Sequence, residues 1–162
     1  MENEIIINKI SESFTSNVLS VDETSDMLTI VVEKKCISDI ILFLKNELDF
    51  NFLTTLCGIH YPNQELQLGV IYHLHNMAQN KRIRIKTFTS VKNPEIKSIT
   101  DIFSAANWME RETYDFYGVI FEGHPNLIRI LNVEYLDYFP MRKEYPLEDS
   151  TRTDKDDRFF GR

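Results

Sequence analysis

Three segments in the middle of the chain alternate between apolar and polar residues, and this alternation constrains the fold more than any other feature. The segments are 52–60, 68–74 and 82–87, and in the last of them the residues between the isoleucines are basic. A period of two is typical of strands with one buried face. We therefore predict an antiparallel meander with one solvated face. The apolar face of its central strand consists of Leu68, Val70, Tyr72 and Leu74.

An amphipathic helix is predicted just before this meander. Five apolar residues recur there at i, i+3, i+4, i+7 and i+11, which is the stripe of a helix with one buried side. Packed on the apolar face of the sheet, this helix would give a two-layer α+β domain. Further upstream, residues 5–14 have helical potential, and 15–21 and 27–32 resemble short strands. The helical stripe consists of Ile37, Ile40, Ile41, Leu44 and Leu48.

A second helix is predicted in the last third of the chain. The sequence from Ser98 to Asp101 resembles a capping box, with aspartate where glutamate or glutamine is usual. The pattern that follows predicts a helix through Trp108 toward Tyr117, in one piece or two. Gly118 is placed to end it.

Beyond this helix, the sequence predicts an extended arm. From Val119 onward the pattern breaks into short stretches interrupted by glycine and proline, and residues 147–162 are polar except for Leu147 and two phenylalanines. Such a tail cannot bury enough apolar area to fold alone. Six of the eight arginines also fall in the last third of the chain, and arginine suits fixed, bidentate contacts. We therefore predict a globular domain over 1–131 and a partner-docking arm over 132–162.

Charge and composition exclude several classes of protein. A net charge of −7 and a pI near 5.1 argue against a nucleic-acid binder. No stretch approaches the roughly 20 apolar residues of a membrane-spanning helix, and the acidic start with Glu2 and Glu4 is unlike a secretory signal. Cys36 and Cys57 are therefore expected to be buried and reduced in a cytosolic compartment, with a disulfide as the less favoured alternative.

Local motifs give little support to a catalytic or metal site. His73 and His75 share one strand face, but a zinc site needs further ligands. The sequence lacks GxGxxG, P-loop and CxxC motifs, so nucleotide and iron–sulfur sites are not expected. Glu112 and Asp115, three residues apart on one helix, could form an acid/base pair. No nucleophile joins them in the sequence.

Three linked blocks near the C-terminus identify a family. NWMERETYDFYG occupies residues 107–118, VIFEGHPNLIRIL follows at 119–131, and PMRKEYP occupies 140–146. In this order and spacing, the blocks closely resemble the signature of the C subunit, or 30-kDa subunit, of the proton-translocating NADH–quinone oxidoreductase, respiratory complex I. The stretch 107–146 that holds the blocks covers about a quarter of the chain, and the upstream elements are compatible with the family.

The chain departs from the family pattern at three positions. Tyr138 stands where the family usually has glycine, two residues before a proline, and tyrosine cannot adopt a positive φ cheaply. This substitution puts the local backbone of 136–140 in question. Met141 replaces the usual leucine and Glu144 the commoner aspartate, and both of these changes are mild.

The resemblance implies a subunit without a cofactor in the hydrophilic arm of the complex. In that family, FMN, iron–sulfur clusters, NADH and quinone are handled by the complex, whereas the 30-kDa subunit binds none of them. Its implied partners are chiefly the quinone-site (D) subunit and also the cluster-bearing B and I subunits. The implied location is the cytoplasmic side of the bacterial inner membrane, peripheral to it and without membrane insertion.

For the site, we predict a network of paired polar groups instead of a catalytic centre. Part of it should fix the turn over 107–131, and Arg142, Lys143 and the tail arginines should meet acidic groups or carbonyls on partner subunits. The predicted residues are Glu110, Arg111, Glu112, Asp115, His124, Arg129, Arg142 and Lys143.

Three alternatives remain open at this stage. The first is the equivalent subunit of a ferredoxin- or coenzyme F420-linked dehydrogenase or of a membrane-bound hydrogenase. The second is a small free-standing enzyme that uses Glu112 and Asp115. The third is a binder of anionic ligands through the face that carries Arg82 and Arg84, whose binding would be sensitive to salt.

Overall fold

A five-stranded sheet forms the centre of the computed structural model, which describes residues 2–23 and 27–146. The strands are β1 (Val18–Asp22), β2 (Thr29–Val32), β3 (Phe52–His60), β4 (Leu68–Asn76) and β5 (Lys81–Thr89). In the order β1-β2-β5-β4-β3, β2 runs parallel to β5 and every other neighbouring pair is antiparallel. The predicted meander of β3, β4 and β5 is confirmed.

The strand register sorts the side chains onto one buried and one solvated face. Leu56 pairs with Tyr72, and Tyr72 pairs with Ile85, so these three buried side chains lie in one row across the sheet. On the opposite face, His73 pairs with Arg84. The alternation in the sequence therefore predicted both the strands and the direction in which their side chains point.

Helices cover the buried face, as the two-layer prediction requires. The first helices are α1 (Asn3–Phe14) and α2 (Ile37–Leu48), the latter preceded by a 3-10 turn over Lys34–Cys36. The whole predicted stripe of α2 is buried. Asp49 ends α2 with a positive φ of 57° and donates its N–H to the carbonyl of Leu44. The α+β fold class is confirmed.

The third helix begins later than the sequence indicated. It is α3 (Ala106–Tyr117), so the capping-box prediction at Ser98 is wrong. The Ser98 hydroxyl instead accepts the N–H of Thr100 at 3.2 Å and donates to Glu110. The predicted stop is confirmed, since Gly118 has a φ of 75° and its N–H bonds to the carbonyl of Tyr114 at 2.8 Å.

A two-stranded parallel sheet beside α3 was not predicted. It pairs β6 (Glu95–Lys97) with β7 (Ile120–Glu122) and so ties the entry of α3 to its exit. Against the main sheet, α3 packs so closely over β3 that a Cβ on Gly58 would collide with the ring of Tyr117. This packing fixes the position of the 107–118 block on the sheet.

The two cysteines differ in their surroundings. Cys36 is buried as expected, but Cys57 is exposed, which corrects the prediction for that residue. The register explains the difference, because Leu56 and Gly58 lie on the buried side of β3 and Cys57 points the other way. Both cysteines are free.

Two further expectations concern membranes and the end of the chain. Among the helices of residues 2–23 and 27–146, none has the length and apolar character to cross a bilayer. The polar tail at 147–162, with Phe159, Phe160 and the tail arginines, lies outside the described residues.

Candidate functional site

The carboxylate of Asp115 organises the turn that follows α3. Its side chain is buried, and Oδ1 accepts a hydrogen bond from Arg129 Nη1 at 2.8 Å. Oδ2 accepts three backbone N–H groups, from Ile130 at 3.1 Å, Leu131 at 2.8 Å and Asn132 at 2.9 Å. The Asn132 amide adds a bond to Oδ1 at 3.1 Å. We refer to Asp115, Arg129 and the backbone of 130–132 as the Asp115–Arg129 network.

These bonds determine the charge state of the carboxyl group. Burial by itself raises the pKa of Asp115, but the hydrogen bonds from Asn132, Arg129 and Leu131 outweigh that effect and hold the pKa well below its usual range. Asp115 is therefore an anion that is fully engaged within the chain.

Arg129 connects the network to the arm. Besides the carboxylate, its Nη1 donates to the Asp115 carbonyl at 2.9 Å. Its Nη2 donates to the carbonyls of Leu136 at 2.7 Å and Tyr138 at 3.1 Å, and the guanidinium lies 5.1 Å from the centre of the Phe139 ring. One buried side chain thus fixes the first residues of the arm against the end of α3.

Arg111 and His124 hold the same turn from outside the network. Arg111 donates to the carbonyls of Ile128 and Arg129, each at 3.1 Å. His124 Nε2 lies 3.0 Å from the carbonyl of Asn107, and its Nδ1 accepts the N–H of Asn126 at 3.0 Å. Because a carbonyl can only accept, these two bonds assign the proton of the neutral ring to Nε2.

Glu110 and Glu112 do not join the Asp115–Arg129 network. Glu110 faces the opposite side of α3, is fully buried, and accepts bonds from the Ser98 hydroxyl at 2.7 Å and the Ile99 N–H at 2.8 Å. Burial raises its pKa to about 7, against the lowering effect of those two bonds. Glu112 is exposed and lines a shallow cavity of about 250 Å³ with Cys57.

The PMRKEYP block also folds back onto the domain. Arg142 Nε donates to the carbonyl of Tyr117 at 2.7 Å, and its guanidinium lies 4.6 Å from the centre of the Phe139 ring. The backbone N–H of Lys143 donates to Nδ1 of buried His60 at 2.9 Å. Sequence reasoning did not select His60, which resembles an ordinary residue at the end of a strand.

Tyr138 is accommodated without the backbone strain that the missing glycine suggested. Among the non-glycine residues in the described ranges, only Asp49 and Asn80 have a positive φ. Tyr138 therefore keeps a conformation that tyrosine adopts readily, and its ring packs 4.9 Å from that of Tyr145.

The histidine pair on β4 makes contacts within the sheet. His73 Nε2 accepts Arg84 Nε at 2.9 Å, and His75 Nε2 lies 3.2 Å from the Asn80 side-chain oxygen. In the part of the chain that the structure describes, no cluster of three or more His, Cys, Asp or Glu side chains could hold a metal ion.

Comparison with known proteins identifies the family of the chain. The family described as "Respiratory-chain NADH dehydrogenase, 30 Kd subunit" matches residues 30–151. The C subunit of the NADH-quinone oxidoreductase of Citrifermentans bemidjiense is 35% identical over 151 residues, which cover 93% of this chain and 94% of that protein.

Two solved structures share the fold. A trypsin-resistant fragment of Nqo5 has a TM-score of 0.69 at 23% identity, covering 78% of this chain and 100% of the fragment. A chain of the membrane-bound sulfane sulfur reductase, an archaeal respiratory membrane complex, has a TM-score of 0.76 at 24% identity, covering 91% of this chain and 87% of that one. From the family match and the Citrifermentans relative, we conclude that this chain belongs to the 30-kilodalton subunit family of the respiratory-chain NADH dehydrogenase, which makes it a subunit of an oxidoreductase complex.

Proposed function

We propose that this chain is a connecting subunit of the hydrophilic arm of NADH–quinone oxidoreductase and performs no chemistry of its own. The observation that carries the proposal is the Asp115–Arg129 network. In this network, a buried ion pair of the signature, Asp115 with Arg129, fixes a segment at the surface. The two carboxylate oxygens of Asp115 accept five hydrogen bonds. A group this completely engaged suits a structural role better than proton transfer.

The other carboxylates of α3 favour the same proposal. Glu110 is buried beneath the 98–100 turn, where a substrate could not reach it. Glu112 is exposed, but its neighbours along the helix are Arg111, which bonds to backbone carbonyls, and Asp115 of the network. An acid/base pair of Glu112 and Asp115 would require Asp115 to give up its partners.

The partners and cofactors follow from the same proposal. FMN, iron–sulfur clusters, NADH and quinone would be held by other subunits, and this chain would dock chiefly on the quinone-site (D) subunit and lie near the cluster-bearing B and I subunits. It would sit on the cytoplasmic side of the bacterial inner membrane, peripheral to the bilayer. The fixed 128–146 segment supports this proposal, since it supplies a rigid surface for such contacts.

A second candidate is the equivalent subunit of another respiratory membrane complex. The fold shared with a chain of the sulfane sulfur reductase complex favours it, because that complex is not an NADH dehydrogenase by name. The sequence identity with a relative that is named as an NADH-quinone oxidoreductase subunit argues against this second candidate.

Affinity purification of the tagged chain from detergent-solubilised membranes tests the proposal. We expect mass spectrometry to find the quinone-site and iron–sulfur subunits together with the NADH-binding subunits. Recovery without the NADH-binding subunits would favour the second candidate. A chain recovered alone from the soluble fraction would contradict both and would reopen the enzyme hypothesis.

A further inference from the structure

The loop that follows the Asp115–Arg129 network exposes large apolar side chains at high density. Leu131 is 67% exposed and Tyr135 is 86% exposed, with Val133 exposed between them. Trp108 on α3 is 60% exposed. Tryptophan and tyrosine in such positions are unusual for a solvated surface and frequent at protein interfaces.

The turn that carries Leu131 runs along the face of α3 that includes Trp108, and residues 133–137 follow it directly in the chain. Arg111, one turn after Trp108, bonds to the carbonyls of Ile128 and Arg129. Asp115, one turn further, accepts the N–H groups of 130–132. The segment 128–132 therefore lies beside the helix face that begins at Trp108. We call Trp108, Leu131, Val133, Glu134, Tyr135 and Asp137 the acidic-aromatic face.

The exposed charged residues of 107–146 are almost all negative. The three arginines of this range have partners within the chain: Arg129 is buried, and the half-buried Arg111 and Arg142 donate to backbone carbonyls. The exposed charged residues are a single cation, Lys143, and a set of carboxylates. These are Glu112, Glu122, Glu134, Asp137 and Glu144.

The loop is also held in one conformation before any partner arrives. Arg129 bonds to the carbonyls of Leu136 and Tyr138, and Asp115 fixes the backbone at the other end. A surface ordered in advance loses less entropy on docking. Exposed aromatic groups on a fixed loop are the typical anchors of an interface.

We propose that the acidic-aromatic face docks on a protein surface that offers apolar pockets rimmed by lysine and arginine. This inference rests on the proposed function and adds the chemistry of the partner surface to it. The basic residues of the interface come from the partner, since the three arginines of 107–146 already bond to groups of this chain.

Site-specific photo-crosslinking in the intact complex tests the proposal. The crosslinking residue p-benzoylphenylalanine replaces Tyr135 in a tagged chain that is the only copy in the cell. The control places it at Met77, which is exposed in the β4–β5 turn away from the face. We expect irradiated membranes to give at least tenfold more adduct at position 135. The adduct should join another protein of the complex at a site flanked by lysine or arginine.

Charge reversal provides the second measurement. Glu134→Lys combined with Asp137→Lys should reduce the complex subunits recovered with the chain by at least fivefold. The matched pair Glu47→Lys and Glu65→Lys changes net charge equally at exposed sites elsewhere and should leave recovery unchanged.

The outcomes separate this inference from the proposed function. The inference is overturned if position 135 gives no adduct, an adduct with lipid, or an adduct at a protein site flanked by acidic residues. The proposed function stands in each of these cases, provided that the unmodified chain still recovers the complex. Equal losses in both charge-reversal pairs would also overturn it. If the unmodified chain recovers none of the other subunits, the proposed function fails and the inference fails with it.

Discussion

At the scale of single residues, the arrangement around Asp115 explains why a polar signature forms a buried structure. One carboxylate neutralises Arg129 and satisfies three consecutive backbone N–H groups that the turn would otherwise leave without partners. Buried polar groups are tolerated only when they are bonded in this way. Each member therefore depends on the others.

Asp115→Asn should lower the free energy of unfolding by about 3–5 kcal/mol near neutral pH, because Arg129 keeps its charge without a charged partner. The pKa of Asp115 is lowered on folding, so its contribution is present above its unfolded value of 3.8 and is lost as the pH falls toward the folded value. The gap between wild type and variant in urea unfolding should accordingly narrow below pH 3.8. Asp137→Asn, an exposed carboxylate of the arm, is the control, and equal losses in the two variants would contradict this account.

Glu110 should make the free energy of unfolding depend on pH in the opposite sense to Asp115, and Glu110→Gln should remove that dependence. Folding raises the pKa of Glu110 from 4.5 to about 7, so the stability associated with its protonated form is lost as the pH rises through that window. At about 1.4 kcal/mol per pKa unit, the wild type should lose on the order of 3 kcal/mol relative to the variant between pH 5 and 8. Urea unfolding at both pH values measures this, with exposed Glu112→Gln as the control. Parallel profiles for wild type and Glu110→Gln would contradict the assignment.

The sequence predicted most of these residues, but not that Glu110 and Glu112 lie outside the Asp115–Arg129 network. Charge density indicates Asp115 and Arg111, the second block of the resemblance adds Arg129, and the structure brings the three together. It places Glu110 on the other side of the helix, because 110 and 115 are five residues apart and half a turn out of phase. Three of the five hydrogen bonds to the Asp115 carboxylate come from backbone N–H groups, which carry no signal in the sequence.

At the scale of elements, long periodic segments were predictable and short ones were not. The nine residues of β4 repeat their alternation often enough to exclude a helix, and the stripe of α2 spans three turns. In contrast, β6 and β7 have three residues each. Each buries one side chain, Ile96 in β6 and Phe121 in β7, and a single apolar residue is too short a pattern to predict a strand. Ser98 resembled a cap because serine bonds to nearby backbone N–H groups in turns as well as at helix ends.

Alanine substitutions at two glycines test how the junction between α3 and the arm is held. Gly118 and Gly123 both have positive φ, so alanine should cost about 1 kcal/mol at each for backbone strain. At Gly118, the new Cβ would also lie 2.5 Å from the Phe139 ring, whereas at Gly123 it would meet nothing within 4 Å. Gly118→Ala should therefore lower the melting temperature clearly more than Gly123→Ala and should make the arm more sensitive to limited proteolysis. Equal effects would show that the contact with Phe139 does not hold the arm.

At the scale of the whole molecule, a two-layer domain carries the segment that we propose as a docking surface. The sheet and α2 form an ordinary two-layer core, and α3 carries the signature at the edge of that core. The first residues of the arm return to the domain through Arg129, Arg142 and His60. The resemblance in the sequence predicted the family, whereas the bonds of Arg111, Arg129 and Arg142 within the chain required the structure.

We propose that this chain supports assembly of the complex and leaves the chemistry to other subunits. The most direct test compares complex abundance with turnover per complex in membranes from cells that carry Arg129→Ala, with exposed Arg82→Ala as the control. We expect Arg129→Ala to lower the amount of assembled complex severalfold while NADH oxidation per assembled complex stays at the wild-type rate, because the loss strands the buried Asp115 anion. A normal amount of assembled complex with slow NADH oxidation per complex would contradict this proposal.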